Sequence, residues 1–322
     1  MRQKLEMFRL LAAGALKNFP PTQRYLIGVS GGRDSVALLH WLTTLGYRKL
    51  TVCHLDHKLR GGASQTDARF VASIARKLGL NCEIGRTDVR ALAARSRLSI
   101  ETAARAARFA FFVRIARQKR CRTIFLGHHA DDLVETAFLN LLRGASPGGV
   151  AAMRSVSVHR IGKTELTIVR PLLGMWRREI DLYIKQNALN FREDATNAEV
   201  GSTRNRIRHR VLPYIEKQLG RDVRRAIWRT TQIWTEEEAL LESLVSGQID
   251  ESDLKVVSLR KMPVALQRRA IINWLGARGI RDIGFDVVEN IRGLLDRECK
   301  VAKVNLPRDR YARRRAKKIF IE

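Results

Sequence analysis

The stretch Ser30-Gly31-Gly32-Arg33-Asp34-Ser35 sets two hydroxyls, two glycines and one carboxylate between two apolar runs, Tyr25–Val29 and Val36–Leu42. Gly31 and Gly32 permit positive φ and let backbone N–H groups approach a ligand closely. With Tyr25–Val29 as a buried strand and Val36–Leu42 as a helix, the turn sits at a helix N-terminus. Unpaired N–H groups and the helix dipole favour an anion there. Ser30 and Ser35 add hydroxyl donors. Asp34 is out of place beside a phosphate unless a cation stands between them, which points to Mg2+ with Asp34 as its contact. No Lys follows the glycines, so the turn is not GxxxxGK[ST], and GxGxxG is absent as well.

Two further polar clusters carry groups suited to chemistry. HLDHKLR offers His54, Asp56, His57 and Arg60, and GHHADDLVE offers His128, Asp131, Asp132 and Glu135. Asp131 and Asp132 open a predicted helix, where acidic residues are ordinary electrostatics. Asp132 and Glu135, three residues apart, share one helix face and can hold an ammonium group. His128 reads either as a proton acceptor or as a hydrogen-bonding member of the turn. Arg105 and Arg108 also share a helix face, either for phosphate and base contact or as a solvated face paired with Glu101.

These clusters need strands and helices to bring them together. Leu50–Leu55, Asn81–Arg86 and Thr123–Gly127 read as strands, with helices over Thr66–Leu78, Ser99–Arg117 and Asp131–Leu142. The alternation predicts an α/β fold with a mostly parallel sheet and helices on both faces. Ligands bind beyond the carboxyl ends of such strands, and all three clusters fall at strand ends. Gly144–Gly149 reads as a loop, Thr167–Val169 as a short strand and Arg177–Asn187 as a helix. Beyond about residue 216 the texture becomes helical, over Asp222–Val245, Pro263–Gly276 and Phe285–Leu295. Lys303–Leu306 and Arg310–Ile321 suggest a terminal β-hairpin. Two domains are expected, 1–215 and 216–322, the second smaller and mainly helical.

At 322 residues the chain can bury a substantial core. Sixty Lys and Arg against 32 Asp and Glu give a net charge of +28, and nucleic acid is the expected partner. Arg192, Asn197, Arg204, Asn205, Arg206, Arg208, His209 and Arg210 form one basic, amide-rich segment. Arg313, Arg314, Arg315, Lys317 and Lys318 form another. The first reads as a polar linker and the second as a solvated strand face, or both as nucleic-acid backbone contacts, where cations release counterions. Cys53, Cys82, Cys121 and Cys299 are widely spaced, with no zinc pattern or disulfide framework, which fits a reducing cytoplasm. No apolar run is long enough to span a bilayer. The basic, amphipathic N-terminal run contains Glu6 and leads into Pro20-Pro21, so an ordinary first helix is expected rather than a transit peptide.

VSGGRDSVALL, HLDHKLRGGAS, SIETAARAARFAFF, LGHHADDLVETAFLNLLRG, RPLLGMWRREI, FREDATN and TRNRIRHRVLP, in this order over residues 25–213, resemble the tRNA(Ile)-lysidine synthetase family of the N-type ATP pyrophosphatase (PP-loop) superfamily. The closing LPRDRYARRRAKKIFIE is similar to that family's final strand pair, and the length fits its shorter architecture. His129 stands where the family commonly has Thr, a change expected to alter local contacts but not the chemistry.

The resemblance implies a PP-loop fold and a two-step ligation. ATP adenylates carbon 2 of a wobble cytidine in tRNA(Ile) with the CAU anticodon, and free L-lysine then displaces AMP to give lysidine. Ser30, Gly31, Gly32, Arg33, Asp34 and Ser35, with His54, Asp56 and His57, would bind ATP, and Asp34 would contact Mg2+. Asp132 and Glu135 would hold lysine, with Asp34, Asp132, Glu135 and His128 as the catalytic set. Arg105, Arg108, Arg192, Asn197, Arg204, Asn205, Arg208 and Arg313–Arg315 would bind tRNA. No protein partner is indicated, and a homodimer is compatible with the sequence. The alternatives are a PP-loop tRNA thiolation enzyme and a non-catalytic tRNA-binding PP-loop protein.

Overall fold

The computed structural model describes residues 14–59, 62–151, 153–192, 203–246, 253–280, 283–298, 303–307 and 309–322. Arg60, Asn197, Cys299 and the amphipathic run before residue 14 lie outside the described residues. The chain divides into two compact units, one drawn from Met1–Glu135 and Met153–Arg224, the other from Thr136–Ala152 and Arg225–Glu322. The sequence suggested a single cut after residue 215. The second unit instead begins at Arg225 and also takes in 136–152.

In the first unit the parallel strands are β1 (Tyr25–Gly28), β2 (Leu50–Asp56), β3 (Asn81–Arg86), β4 (Thr123–Leu126) and β6 (Thr164–Val169). β5 (Val156–Ile161) pairs antiparallel with β6 at one edge. The order β3-β2-β1-β4-β6-β5 puts the reversal of winding between β1 and β4. A crevice opens at such a reversal beyond the carboxyl ends of the strands. Helices α1 (Arg33–Thr44), α2 (Gly62–Lys77), α3 (Val89–Ser96) and α4 (Ile100–Gln118) connect the strands in chain order.

Side chains alternate across β1 and separate two cores. Tyr25 and Ile27 join Leu38, Leu42, Phe125, Ile180 and Tyr183 on one face, while Leu26 joins Phe111, Phe112, Ile115 and Ile124 on the other. Helices therefore cover both faces, as expected. The buried strands read as apolar runs because no face meets water.

β5 and α3 were not legible in the sequence. β5 alternates exposed and half-buried residues, so its apolar run is broken. α3 is short and starts from Asp88, whose side chain caps it by accepting from Ala91 N at 2.9 Å. α5 (Ala130–Leu142) follows β4, and Gly144–Gly149, expected as loop, contains the helical turn α6 (Pro147–Val150) capped by Ser146. α6 belongs to the second unit; the first unit also holds α7 (Arg177–Gln186), α8 (Thr203–Arg206), a π-helix (Ile207–Val211) and α9 (Leu212–Leu219).

The second unit contains α10 (Val223–Val245), whose first two residues still belong to the first unit, and then α11 (Val256–Arg260), α12 (Val264–Ala277) and α13 (Phe285–Gly293). Its strands are β7 (Leu254–Lys255), β8 (Lys303–Leu306), β9 (Arg310–Arg315) and β10 (Lys318–Ile321). The expected hairpin is thus part of a four-stranded antiparallel sheet, ordered β7-β10-β9-β8. Ile271, Trp274, Leu275, Ile291, Ala312 and Ile319 form its core. No helix among the described residues is long and apolar enough to cross a membrane.

Gly127, just after β4, approaches the turn that starts α1. A Cβ there would lie 2.9 Å from Asp34 O and 3.2 Å from Ser35 N, both backbone atoms. Gly276 in α12 has nothing within 4 Å of such a Cβ. Gly127→Ala is expected to destabilise the protein by about 1–3 kcal/mol through overpacking, and Gly276→Ala to stabilise it by about 0.4–1 kcal/mol. Urea unfolding of the two variants checks the contrast.

Candidate active site

The turn after β1 is held by its own side chains. Gly31 has φ of 92°, a conformation that favours glycine, and Gly32 is the N-cap residue of α1 without a side-chain cap. Ser35 Oγ donates to Gly32 O at 2.8 Å and accepts from Ser30 N at 3.2 Å, while Gly32 N donates to Ser30 Oγ at 3.2 Å. The two hydroxyls lie 3.2 Å apart. This cross-bracing fixes the open N–H groups of α1 in place for an anion.

The turn borders a cleft of about 700 Å³ at the β1–β4 reversal. Ser30, Gly32, Arg33, Asp34 and Ser35 line it from the first strand end. His54, Asp56 and His57 line it from the second, and His128 and Asp132 from the end of β4. The three polar clusters therefore share one site. His54 is buried with Nδ1 2.9 Å from Val29 O, so Nδ1 carries the proton and donates. Asp56 is also buried, and its Oδ1 accepts from Lys58 N at 2.8 Å. Both residues thus also brace the strand ends.

His129 is the residue whose importance the sequence did not reveal. It is 1% exposed and sits among three carboxylates, 3.7 Å from Asp34 Oδ2, 3.6 Å from Asp131 Oδ2 and 3.5 Å from Asp132 Oδ2. Burial disfavours its charged form, but Asp132, Asp131 and Asp34 outweigh burial and its pKa is raised. Burial raises the pKa of Asp34, and the neighbouring His129 partly offsets this. Asp34 Oδ1 is buried without a hydrogen-bond partner. Such an orphaned carboxylate oxygen fits a metal contact. No group of three or more His, Cys, Asp or Glu among the described residues could hold an ion. A Mg2+ at Asp34 would therefore draw its other ligands from phosphates and water, as this ion commonly does.

Arg204 and Arg208 change the reading of the acidic helix. They were expected to face tRNA, but both reach the start of α5. Arg204 Nε donates to Glu135 Oε2 at 2.8 Å and its Nη2 to Asp132 Oδ1 at 3.1 Å. Arg208 Nε donates to Glu135 Oε1 at 2.5 Å and its Nη2 to Glu135 Oε2 at 2.9 Å. Glu135 is 2% exposed, and both its oxygens are engaged. Arg204 and Arg208 are four apart, on successive turns of the α8–π-helix junction. Asp132 also accepts from His129 N at 3.1 Å, closing the helix N-terminus. Burial would raise the Asp132 pKa, but His129 and Arg204 prevail and hold it at about 2.

Other basic residues are placed differently from each other. Arg108 lines the cleft while staying open to solvent, and Arg105 rests over Phe109. Arg192 is exposed yet tied to the phosphate-site turn. Its N donates to Gly31 O at 2.9 Å and its Nε to Asp67 at 3.1 Å, so it clasps the turn. Asn205 is half-buried on α8, while His209 and Arg210 are exposed. Arg206 Nη2 donates to Thr203 Oγ1 at 3.1 Å. On β9, Arg313 pairs with Glu322 at 3.0 Å, and Arg314 donates to Leu294 O and Asp296 O, so neither is a free cation. Arg315, Lys317 and Lys318 are exposed, Lys318 lying 3.5 Å from Asp253. The sequence also missed Asp181, Phe191 and Asp67. Arg33 pairs with Asp181 at 2.5 Å and stacks over Phe191. These residues come from separate helices and loops, and nothing in the local pattern marks them.

Residues 7–215 match the PP-loop domain family, and residues 254–320 match the TilS substrate binding domain. The tRNA(Ile)-lysidine synthase of Chlorobaculum tepidum is 32% identical over 285 residues, covering 85% of this chain and 83% of that protein. The chain belongs to the tRNA(Ile)-lysidine synthase family of PP-loop proteins. The family member from Geobacter sulfurreducens is 38% identical over 304 residues, 90% of this chain and 63% of its own length. The Bacillus subtilis member is 36% identical over 264 residues, 78% of this chain and 55% of its own length. The chain thus spans between half and two-thirds of those two relatives. The U34-tRNA thiolase NcsA from Methanococcus maripaludis, solved with its [4Fe-4S] cluster, has a TM-score of 0.58 at 16% identity. It covers 72% of this chain and 79% of that chain, a likeness of fold.

Burial pushes the His57 imidazole down to about 4, helped by Arg108, and the His128 imidazole down to about 3 despite Asp132. An unfolded imidazole takes up its proton near 6.5. Between about pH 6.5 and 4 the unfolded chain therefore binds protons that the folded chain does not, and stability falls as pH falls. His128→Asn is expected to flatten that dependence by about one proton, measured by urea unfolding across this range. An unchanged slope would mean that His128 is protonated in the folded protein.

Proposed function

We propose that this chain ligates free L-lysine to carbon 2 of the wobble cytidine of tRNA(Ile) with the CAU anticodon, through an adenylated tRNA. One observation carries this reading. A single cleft joins a braced, donor-rich turn and an orphaned Asp34 oxygen to Asp132 in the first turn of α5. ATP adenylation needs the first pair, and a diamine substrate needs the carboxylate.

In the first step the oxygen on carbon 2 of the cytidine attacks the α-phosphorus of ATP, and pyrophosphate leaves. The N–H groups at the start of α1 hold the leaving pyrophosphate, with Ser30 and Ser35 keeping the turn in shape. When bound at Asp34, Mg2+ supplies charge neutralisation to the phosphates. His54 and Asp56 keep the second strand end in register with this turn. In the second step the lysine ε-amine attacks carbon 2, and AMP leaves with the former cytidine oxygen. The product, lysidine, pairs with adenine, so reading changes from AUG to AUA.

Asp132 and Glu135 attract the lysine ammonium, but they do so in company. Arg204 and Arg208 already satisfy Glu135, so lysine shares or takes over bonds rather than entering an open acidic pocket. Asp132 is the more exposed of the pair and the cleft-lining one, and it makes the direct contact. His128 is a neutral imidazole at pH 7, because burial lowers its pKa to about 3, so it carries one N–H donor and one acceptor nitrogen, and its buried Nδ1 is open to a hydrogen bond with the substrate. The net charge of +28 favours a polyanionic partner in the cytoplasm.

Incubation with ATP, labelled lysine and tRNA, followed by digestion, tests the reading through the labelled nucleoside. Asp34→Ala is expected to abolish pyrophosphate release with tRNA present. Asp132→Asn is expected to leave that release largely intact and to raise the lysine KM by at least about tenfold, the loss of one charge-assisted contact. Loss of adenylation in Asp132→Asn at unchanged lysine dependence would move that residue to the ATP side.

A further inference from the structure

A connected row of side chains runs from Arg105, one turn from the cleft-lining Arg108, towards the edge of the sheet. Arg105 and Phe109 are one turn apart on α4, with the guanidinium carbon 5.1 Å from the ring centroid. Phe109 stacks on His159 of the edge strand β5, centroids 5.7 Å apart and planes within 25°. His159 Nε2 lies 3.0 Å from Ser157 Oγ, which accepts from Arg170 Nη1 at 2.8 Å. The guanidinium end of the row is solvent-exposed, while Phe109 and His159 are half-buried.

Arg170 is the unusual member. It is 5% exposed, its other described bond goes to the neutral Arg154 O, and its Nε is buried without a partner. No carboxylate is paired with it among the described residues. A buried charge ordinarily has a counter-ion. The neighbouring cations make the deficit larger. Burial and then Arg105 lower the pKa of Arg170 to about 10. Glu101 is the acid that opposes them at Arg105 and Arg108. Helix–strand packing explains the half-buried rings. It does not explain why guanidiniums crowd together with so little negative charge, and a polyanion answers that deficit.

We propose that Arg105, propped on Phe109 and His159, is a stacking platform for an unpaired base that flanks the one entering the cleft. Arg108, one turn along α4, lines the cleft, so a strand whose target base enters there passes over Arg105. Bases stack on guanidinium planes and aromatic rings, and stacking tolerates any base because each has a π-face. The Ser157–Arg170 link fixes the His159 ring and adds positive potential beneath the backbone. Phe109 and His159 act as positioning residues through Arg105. The inference rests on the RNA substrate proposed above.

The test is binding of an anticodon stem–loop RNA, without ATP or lysine, in which loop bases are replaced one at a time by abasic ribose. In the wild-type protein one abasic position beside the target is expected to weaken binding by about 5- to 150-fold, the range for one stacked base. In Phe109→Leu that penalty shrinks towards one, while the slope of log affinity against log salt stays unchanged. In Arg105→Ala the penalty also vanishes, and the slope falls by about 0.7. Thermal melting confirms that each variant is folded, and His159→Gln gives a second route to the same readout should Phe109→Leu fail to fold. An abasic penalty equal in wild type and variants overturns the platform, even if lysine transfer is intact. A wild-type protein that does not bind the stem–loop at all overturns the platform and the proposed function together.

Discussion

The fork between Arg204, Arg208 and the first turn of α5 is the interaction on which the site depends. Glu135 is almost fully buried, and burying a carboxylate costs several kcal/mol unless it is paired and hydrogen-bonded. Two guanidiniums supply four short bonds to Glu135 and Asp132. Removing one partner from such a pair typically costs about 3–5 kcal/mol, because the remaining charge is left buried. The fork therefore fixes α5, and α5 fixes the cleft. His129, just before α5, faces Asp34, the helix's Asp131 accepts from Arg177 N at 2.9 Å, and Gly127 abuts the backbone of Asp34. Phosphate turn and acidic helix are one mechanical unit.

That arrangement also divides the chain's positive charge by purpose. Arg204, Arg208, Arg192 and Arg33 are spent on carboxylates inside the first unit. Arg313 and Arg314 on β9 are engaged with Glu322 and with carbonyl groups. A basic segment in sequence is therefore not by itself a nucleic-acid surface. The cations that lack acid partners are more informative than the total. Arg105, Arg108 and Arg170 influence one another, with Glu101 as the acid that opposes at the first two.

Much of this architecture was legible in the residues. The apolar runs of β1, β2 and β4 and the polar turn after each one predicted both the parallel sheet and a shared site at the strand ends. The glycines of the first turn marked a strand-to-helix turn, and there Gly31 takes a φ of 92° and Gly32 opens α1. What escaped has a common cause. β5 carries Val156, Val158 and Arg160 on an exposed face, so its pattern is not that of a buried strand. His129, Asp67, Asp181 and Phe191 act through partners far away in sequence, with Arg33 and Asp181 separated by 148 positions. The pairing of Arg204 and Arg208 with Asp132 and Glu135 was not legible because a basic helix face looks the same whether it meets water, phosphate or a buried acid. His129 was noted for replacing a Thr and was expected to affect local contacts. It does so at the centre of three carboxylates.

The central claim is that the cleft activates the RNA, not the amino acid, with ATP. The direct measurement uses ATP labelled at the α-phosphate, with tRNA present and lysine withheld. The account predicts that label becomes attached to tRNA as pyrophosphate is released, and that adding lysine discharges it as free AMP. Label that never joins tRNA, or that joins lysine when RNA is absent, would contradict it.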